Sequence, residues 1–159
     1  MAERNFDVCR DYAHQFSPRS GNLLLFGAPG LGKTFLSACI ARSVADNGFS
    51  VVYDTAGKLF SDFEAVKFGN DGDALTKKYL ECDLLIIDDL GTEMTTQFTQ
   101  SVLYQVVNTR LMESKPMIIS TNLLSDAISH RYPGPIASRL LGVFQLCPFL
   151  GQDIRQLRR

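Results

Sequence analysis

The chain has 159 residues, 45% of them hydrophobic and 21% charged, and a net charge of −1, which fits one globular domain with a real core. No apolar run approaches the ~20 residues of a membrane span, and the opening "MAERNFDVCRDYAHQF" lacks the apolar stretch of a signal peptide, so a cytoplasmic protein without a membrane partner is expected. Cys9, Cys39, Cys82 and Cys147 stand far apart without a CxxC pair, beside only two histidines; this predicts reduced, mostly buried thiols and argues against a disulfide framework or a zinc site.

In chain order, residues 1–20 read as an N-terminal remnant or linker helix and residues 21–159 as one domain. "NLLLFG" (22–27) is a short strand ending in glycine. "KTFLSACIARSVADNG" (33–48) places Leu36, Ile40 and Val44 on one helical face and closes on Asn47-Gly48, a C-cap signal. "SVVYD" (50–54) is a second strand, followed by a helix through Leu59, Phe63 and Val66 that stops at Gly69. A further helix (73–81) leads to the strand "DLLIID" (83–88). Thr95 or Thr96 can cap a long helix over 97–114; "PMIIST" (116–121) and "VFQLCPF" (143–149) give the fourth and fifth strands. Strands apolar throughout and separated by helices indicate an α/β fold, a parallel sheet covered on both faces in three layers.

Charge is unevenly spread. Residues 1–130 carry a net −5, whereas residues 131–159 carry +4, all of their basic side chains being arginine: Arg131, Arg139, Arg155, Arg158 and Arg159. Arginine suits forked recognition of phosphate or carboxylate.

"GAPGLGKT" (27–34) matches G-x-x-x-x-G-K-[ST] between a strand and a helix, the context that the motif requires. In such a loop Gly27, Ala28, Pro29, Gly30, Leu31 and Gly32 curl so that backbone N–H groups face a phosphate, and the helix that follows adds its positive end. Lys33 then reaches the β- and γ-phosphates, Thr34 holds Mg2+ through its hydroxyl, and Phe35 completes the nucleotide-contacting run. "LLIIDDLG" (84–91) sets two carboxylates at a strand tip, where P-loop enzymes complete the metal site. Asp88 fits that place, and Asp89 is placed to orient the attacking water or take its proton. ATP or ADP with Mg2+ is the expected ligand.

With "GAPGLGKT", "LLIIDDLG" and "IISTN" in order, the chain resembles an AAA+ ATPase. More narrowly, "LLIIDDLGTE", "IISTN", "IASRLLG" and "GQDIR" are similar to bacterial helicase loaders of the DnaC/DnaI type and to the related IstB-type transposition ATPases. The resemblance covers residues 20 to 157. It implies a P-loop NTPase fold with a five-stranded parallel sheet in the order 5-1-4-3-2, without a large helical lid. It also implies that Asn122 is the first sensor, touching the γ-phosphate or its water, and that Arg139 is an arginine finger entering the neighbouring subunit's site in a head-to-tail assembly. Arg155 matches the second sensor, and Arg131 is a weaker finger candidate. Each has a plainer alternative, a turn asparagine for Asn122 and a surface helix arginine for Arg139.

The chain departs from the pattern in two ways. Many AAA+ enzymes have glutamate at the position of Asp89; the shorter aspartate predicts slow turnover, and Glu93 is read as an exposed loop acid close enough to assist. Only about 20 residues precede the first strand, less than the helicase-binding region of a loader, so a domain fragment or a shortened relative is expected.

The resemblance implies single-stranded DNA and a replicative DNA helicase as partners. Lys67 and Phe68, with Lys77 and Lys78 next along, are the candidate DNA contacts, a base stacking on the ring while lysine meets phosphate. The alternatives are an ATPase assisting a transposase, identical in its nucleotide chemistry, and a small-molecule P-loop kinase, for which no arginine-bearing lid is evident.

Overall fold

A computed structural model describes residues 2–67 and 72–150. In chain order they form α1 (Ala2–His14), β1 (Leu23–Gly27), α2 (Lys33–Asp46), β2 (Val51–Thr55), α3 (Ala56–Lys67), α4 (Gly72–Glu81), β3 (Leu84–Leu90), α5 (Gln97–Met112), β4 (Met117–Thr121), α6 (Ser125–Arg131), α7 (Gly134–Gly142) and β5 (Gln145–Phe149). Local chemistry explains several boundaries. The Thr96 side chain accepts from the N–H of Thr99, and Thr99 returns the bond, a capping box that starts α5. Pro133 and Pro135 set the first turn of α7, where a missing N–H costs nothing.

All strand pairs are parallel, in the order β2-β3-β4-β1-β5, the 5-1-4-3-2 arrangement read from its other edge. Side chains alternate between the two faces, and both faces are covered, which is why the central strands β1, β3 and β4 are buried along nearly their whole length. Leu24, Leu85, Ile87 and Ile119 meet α3, α5 and α7 on one side. Leu23, Leu25, Leu84, Ile86 and Ile118 meet α1 and α2 on the other. Each such side chain, removed from water, contributes about 1.5–3 kcal/mol. α1 packs Cys9 and Ala13 into the second core, and Asn5 donates to the carbonyl of Pro148 at 2.7 Å. Cys9, Cys82 and Cys147 are buried and Cys39 is exposed, all four as free thiols. Burial, with Cys147 adding to it, pushes the Cys9 thiol up to about 12. No helix among the described residues is long and apolar enough to cross a membrane.

One irregularity matters for function. β3 and β4 run in step from Leu85 opposite Met117 to Ile87 opposite Ile119, then slip by one, so that Leu90 faces Thr121. β3 therefore continues two residues past the expected end at Asp88, with an extra residue bulged out at the aspartate pair.

Candidate nucleotide site

The face of the sheet under α2 is an apolar ladder that turns polar at the carboxyl ends of its strands. Ile86 is followed two residues later by Asp88, Ile118 by Ser120, and Val51 by Tyr53. α2 begins beside this rim, and its first turn supplies Lys33 and Thr34. Ligands in open α/β sheets bind at such carboxyl ends.

The loop between β1 and α2 is shaped by close approach. Gly27 has φ +128° and pairs with Phe149; a Cβ there would lie 2.1 Å from the Phe149 carbonyl oxygen. Ala28 donates its N–H to that same oxygen at 3.1 Å, anchoring the loop on β5. Gly32, at φ +98°, caps α2 without a side chain, which leaves the first amides of the helix free to meet an anion. Beside them opens a cavity of about 340 Å3, lined by Pro29, Gly30, Gly32 and the α2 turn together with Asp89 and Asn122. Phe35, 68% exposed, forms part of its rim.

Lys33 is only 6% exposed and donates to the carbonyls of Gly27 at 2.8 Å and Ala28 at 2.6 Å. Burial holds its ammonium below its usual value, while Asp89 and then Asp88 oppose that shift. Neutral acceptors bind this cation, with two carboxylates nearby but not in contact, so phosphate oxygens in the cavity would give it stronger partners.

Asp88 is 3% exposed and sits at the meeting of four elements. The Thr34 hydroxyl lies 3.3 and 3.2 Å from its two oxygens, Tyr53 donates to Oδ2 at 3.1 Å, and Ser120 donates to Oδ1. Burial, followed by the field of Asp88, pushes the Tyr53 hydroxyl well above its usual range, so it stays a donor. Thr34 and Asp88 thus present hard oxygen ligands to one another, the donor set that suits Mg2+. Asp89 occupies the bulge at φ +57°, a left-handed conformation that aspartate tolerates better than most residues. Its N–H donates to Ser120 Oγ at 3.2 Å, and its side chain faces the cavity. Burial and then Asp88 raise its carboxyl above the ordinary range, with Lys33 pulling the other way. Ser120 therefore fixes both acids at once, and sequence reading missed it together with Tyr53. Strand alternation was the available signal, since each lies two residues beyond an apolar position on the α2 face.

Asn122 lines the same cavity, exposed, on a turn held by Thr121, which donates to the carbonyl of Leu90 at 2.5 Å and accepts from the N–H of Leu123 at 3.1 Å. Arg139 is absent from the cavity lining. It lies on α7, where Nε donates to Asn108 at 3.1 Å, a terminal nitrogen donates to the Pro135 carbonyl at 2.8 Å, and the guanidinium sits 5.0 Å from the Tyr104 ring centre.

One expectation needs correction. Glu93 is not an exposed loop acid; its side chain is 5% exposed. It accepts from the Gly91 N–H at 2.7 Å and from the Tyr132 hydroxyl at 2.9 Å, and it pairs with Arg131 at 3.3 Å. That clasp, tying the loop after β3 to the end of α6, occupies Glu93 and Arg131 alike. Lys77 and Lys78 are both exposed, and Lys78 also pairs with Asp54 at 3.1 Å and Asp62 at 3.8 Å. Phe68, Arg155 and the side chain of Lys67 lie outside the described residues.

Known proteins resemble this chain in sequence and in fold. A replicative helicase loader DnaC from Buchnera aphidicola is 28% identical over 120 residues, 74% of this chain and 47% of that protein. A Sinorhizobium fredii protein named for an insertion sequence and for ATP binding is 29% identical over 117 residues, 74% of this chain and 39% of its own length. The chain thus spans less than half the length of these relatives. A crystal structure of a DnaC helicase loader superposes with a TM-score of 0.83 at 21% identity, covering 93% of this chain and 89% of that one, a likeness of fold. The model of the IstB-like ATP binding proteins matches residues 9–132, more than half of the sequence; with the glycine loop and the strand-tip acids lying inside that span, the chain belongs to the IstB-like ATP binding protein family.

Proposed function

We propose that this chain is an ATP-binding and ATP-hydrolysing AAA+ switch that helps load a replicative DNA helicase onto single-stranded DNA. The observation that carries the nucleotide part is the Thr34 hydroxyl facing the Asp88 carboxylate at 3.2–3.3 Å beside the glycine loop. Loop amides and Lys33 hold the triphosphate, and Thr34 and Asp88 hold Mg2+, which when bound neutralises charge on the β- and γ-phosphates. Asp89, directed into the cavity by the bulge, orients the attacking water and receives its proton. Its raised basicity suits that task. Asn122, which lines the same cavity, contacts the γ-phosphate or the water.

Arg139 does not line its own cavity, so in this reading it acts on the nucleotide of a neighbouring copy in a head-to-tail assembly. The charge it brings is of a kind worth ~10³–10⁵-fold in rate. Turnover therefore rises more steeply than protein concentration and falls on Arg139→Ala with nucleotide affinity unchanged. Rates strictly proportional to concentration and indifferent to that substitution would refute the shared site.

The helicase partner is supported by the likeness to DnaC loaders in sequence and fold. A second reading, an ATPase assisting a transposase, is favoured by the family match and the insertion-sequence relative. Co-purification with and without ATP, using wild type and Lys33→Ala, separates them by whether helicase or transposase is retained in the ATP state.

A further inference from the structure

β2 is an outer strand that contributes no residue to the glycine loop or to the aspartate pair, yet one of its side chains reaches the centre of the site. It pairs in parallel with β3, Tyr53 opposite Ile86 and Thr55 opposite Asp88. Residues two apart share a face, so Tyr53 stands one pleat short of the position beside Asp88. Only a long, rigid side chain with a polar tip spans that offset, and the Tyr53 hydroxyl arrives 3.1 Å from Oδ2. Ser120 holds Oδ1 from the strand on the other side. A carboxylate offers about four lone-pair sites; one on each oxygen is held from a flank, which restrains the carboxylate's rotation, and both oxygens lie 3.2–3.3 Å from the Thr34 hydroxyl.

We propose that Tyr53 is a positioning residue for magnesium, its hydroxyl orienting the Asp88 carboxylate toward the Thr34 oxygen so that the metal–nucleotide complex meets a preset ligand pair. The inference rests on the reading of Thr34 and Asp88 as the metal ligands and adds a requirement in β2. Loss of an outer partner of a metal ligand weakens metal affinity by about 10–100-fold, and a single neutral donor with Ser120 still in place belongs at the lower end. A ring that merely fills the core between β2 and α2 would carry no such effect.

The test is Tyr53→Phe, which keeps the ring and removes only the oxygen. Binding of a fluorescent adenine nucleotide is followed across a magnesium titration and again in EDTA, with thermal melting as the check on folding. The expected result is about a tenfold rise in the magnesium concentration at half-saturation, with unchanged nucleotide affinity in EDTA and a melting temperature close to wild type. A magnesium titration that superimposes on wild type, or an equal loss of affinity in EDTA, overturns the role of Tyr53 while leaving the nucleotide site standing. Wild type that binds nucleotide with no response to magnesium instead sinks the metal reading itself, and this inference with it.

Discussion

Two basic side chains among the described residues are buried, and they have opposite characters. Arg110, at 0% exposure, is sealed inside α5. Its guanidinium donates to the carbonyls of Pro116 at 2.8 Å, Tyr79 at 3.1 Å and Asp83 at 3.5 Å, and to Cys82 Sγ at 3.4 Å. Those groups are the end of α4 and the entries to β3 and β4, so one planar fork ties three elements at the amino edge of the sheet. Lys33 is buried at the carboxyl edge, holds two loop carbonyls, and borders an open cavity with Asp88 and Asp89 close by. The arginine closes a structure, whereas the lysine waits beside a space for an anion. Substitutions at the two should separate cleanly, the first in stability and the second in affinity.

The largest effect is expected from Arg110→Ala. It leaves a cavity and several unpaired carbonyls, about 4 kcal/mol together, or roughly 8–16 °C in Tm for a domain of this size. The folded fraction should still bind nucleotide with wild-type affinity. A loss of affinity in protein shown by circular dichroism to be folded would merge the two edges into one unit and break the contrast.

Gly27→Ala follows, because it strikes site and scaffold at once. A methyl group 2.1 Å from the Phe149 carbonyl, at φ +128°, must displace β5 or the loop. About 3 kcal/mol is expected, seen as a melting temperature lowered by roughly 6–12 °C, together with weaker nucleotide binding. A variant that melts with wild type would show that the anchor on β5 is soft.

Lys33→Ala should do the reverse of Arg110→Ala. Nucleotide affinity falls about 100-fold, which is about 2.7 kcal/mol, while Tm without ligand moves by no more than about 2 °C. Isothermal titration beside thermal melting reads both. If stability falls and affinity holds, Lys33 is a scaffold residue and the contrast with Arg110 fails.

How far the sequence announced this architecture depends on the distance over which each feature is encoded. The glycine loop is written in eight consecutive residues because one anion needs converging donors from one short stretch. The strands from "NLLLFG" to "PMIIST" announced themselves because a sheet covered on both faces demands unbroken apolar runs. Asp88 stood out by its place at a strand tip. Ser120 and Tyr53 did not, since their meeting with Asp88 depends on strand register between segments 32 and 35 residues away, and no local pattern records register. Glu93 was misread for the same reason, its partners Arg131 and Tyr132 arriving 38 and 39 residues later. Arg110 carries no local signal of burial on its helix; the packed ends of α4, β3 and β4 make it a core residue. Sheet order came from resemblance, because alternation of strand and helix fixes the class but leaves the sequence of strands across the sheet open.

The smallest expected effect lies where the cavity holds a cost in the protein without nucleotide. Burial and the adjacent Asp88 raise the Asp89 carboxyl above its ordinary value, and Lys33 offsets this only in part. An unfolded aspartate ionises near pH ~3.9. With the folded value higher, the stability this group contributes is complete below the unfolded value and is lost as pH climbs through the folded one. At neutral pH the ionised side chain is therefore a liability to the empty site. Asp89→Asn keeps the shape and removes the charge, so Tm at pH 7 should rise by about 1 °C, a size fitting a half-buried like-charge pair. The gain should shrink as pH falls into the carboxylate range and again when magnesium and nucleotide are added, since the cation then balances both acids. Differential scanning calorimetry of both proteins over that range decides the matter: a variant less stable at pH 7, or a gap indifferent to pH and to magnesium, would mean that Asp89 is held as a structural ligand of its own strand and that the bulge serves β3 before it serves catalysis.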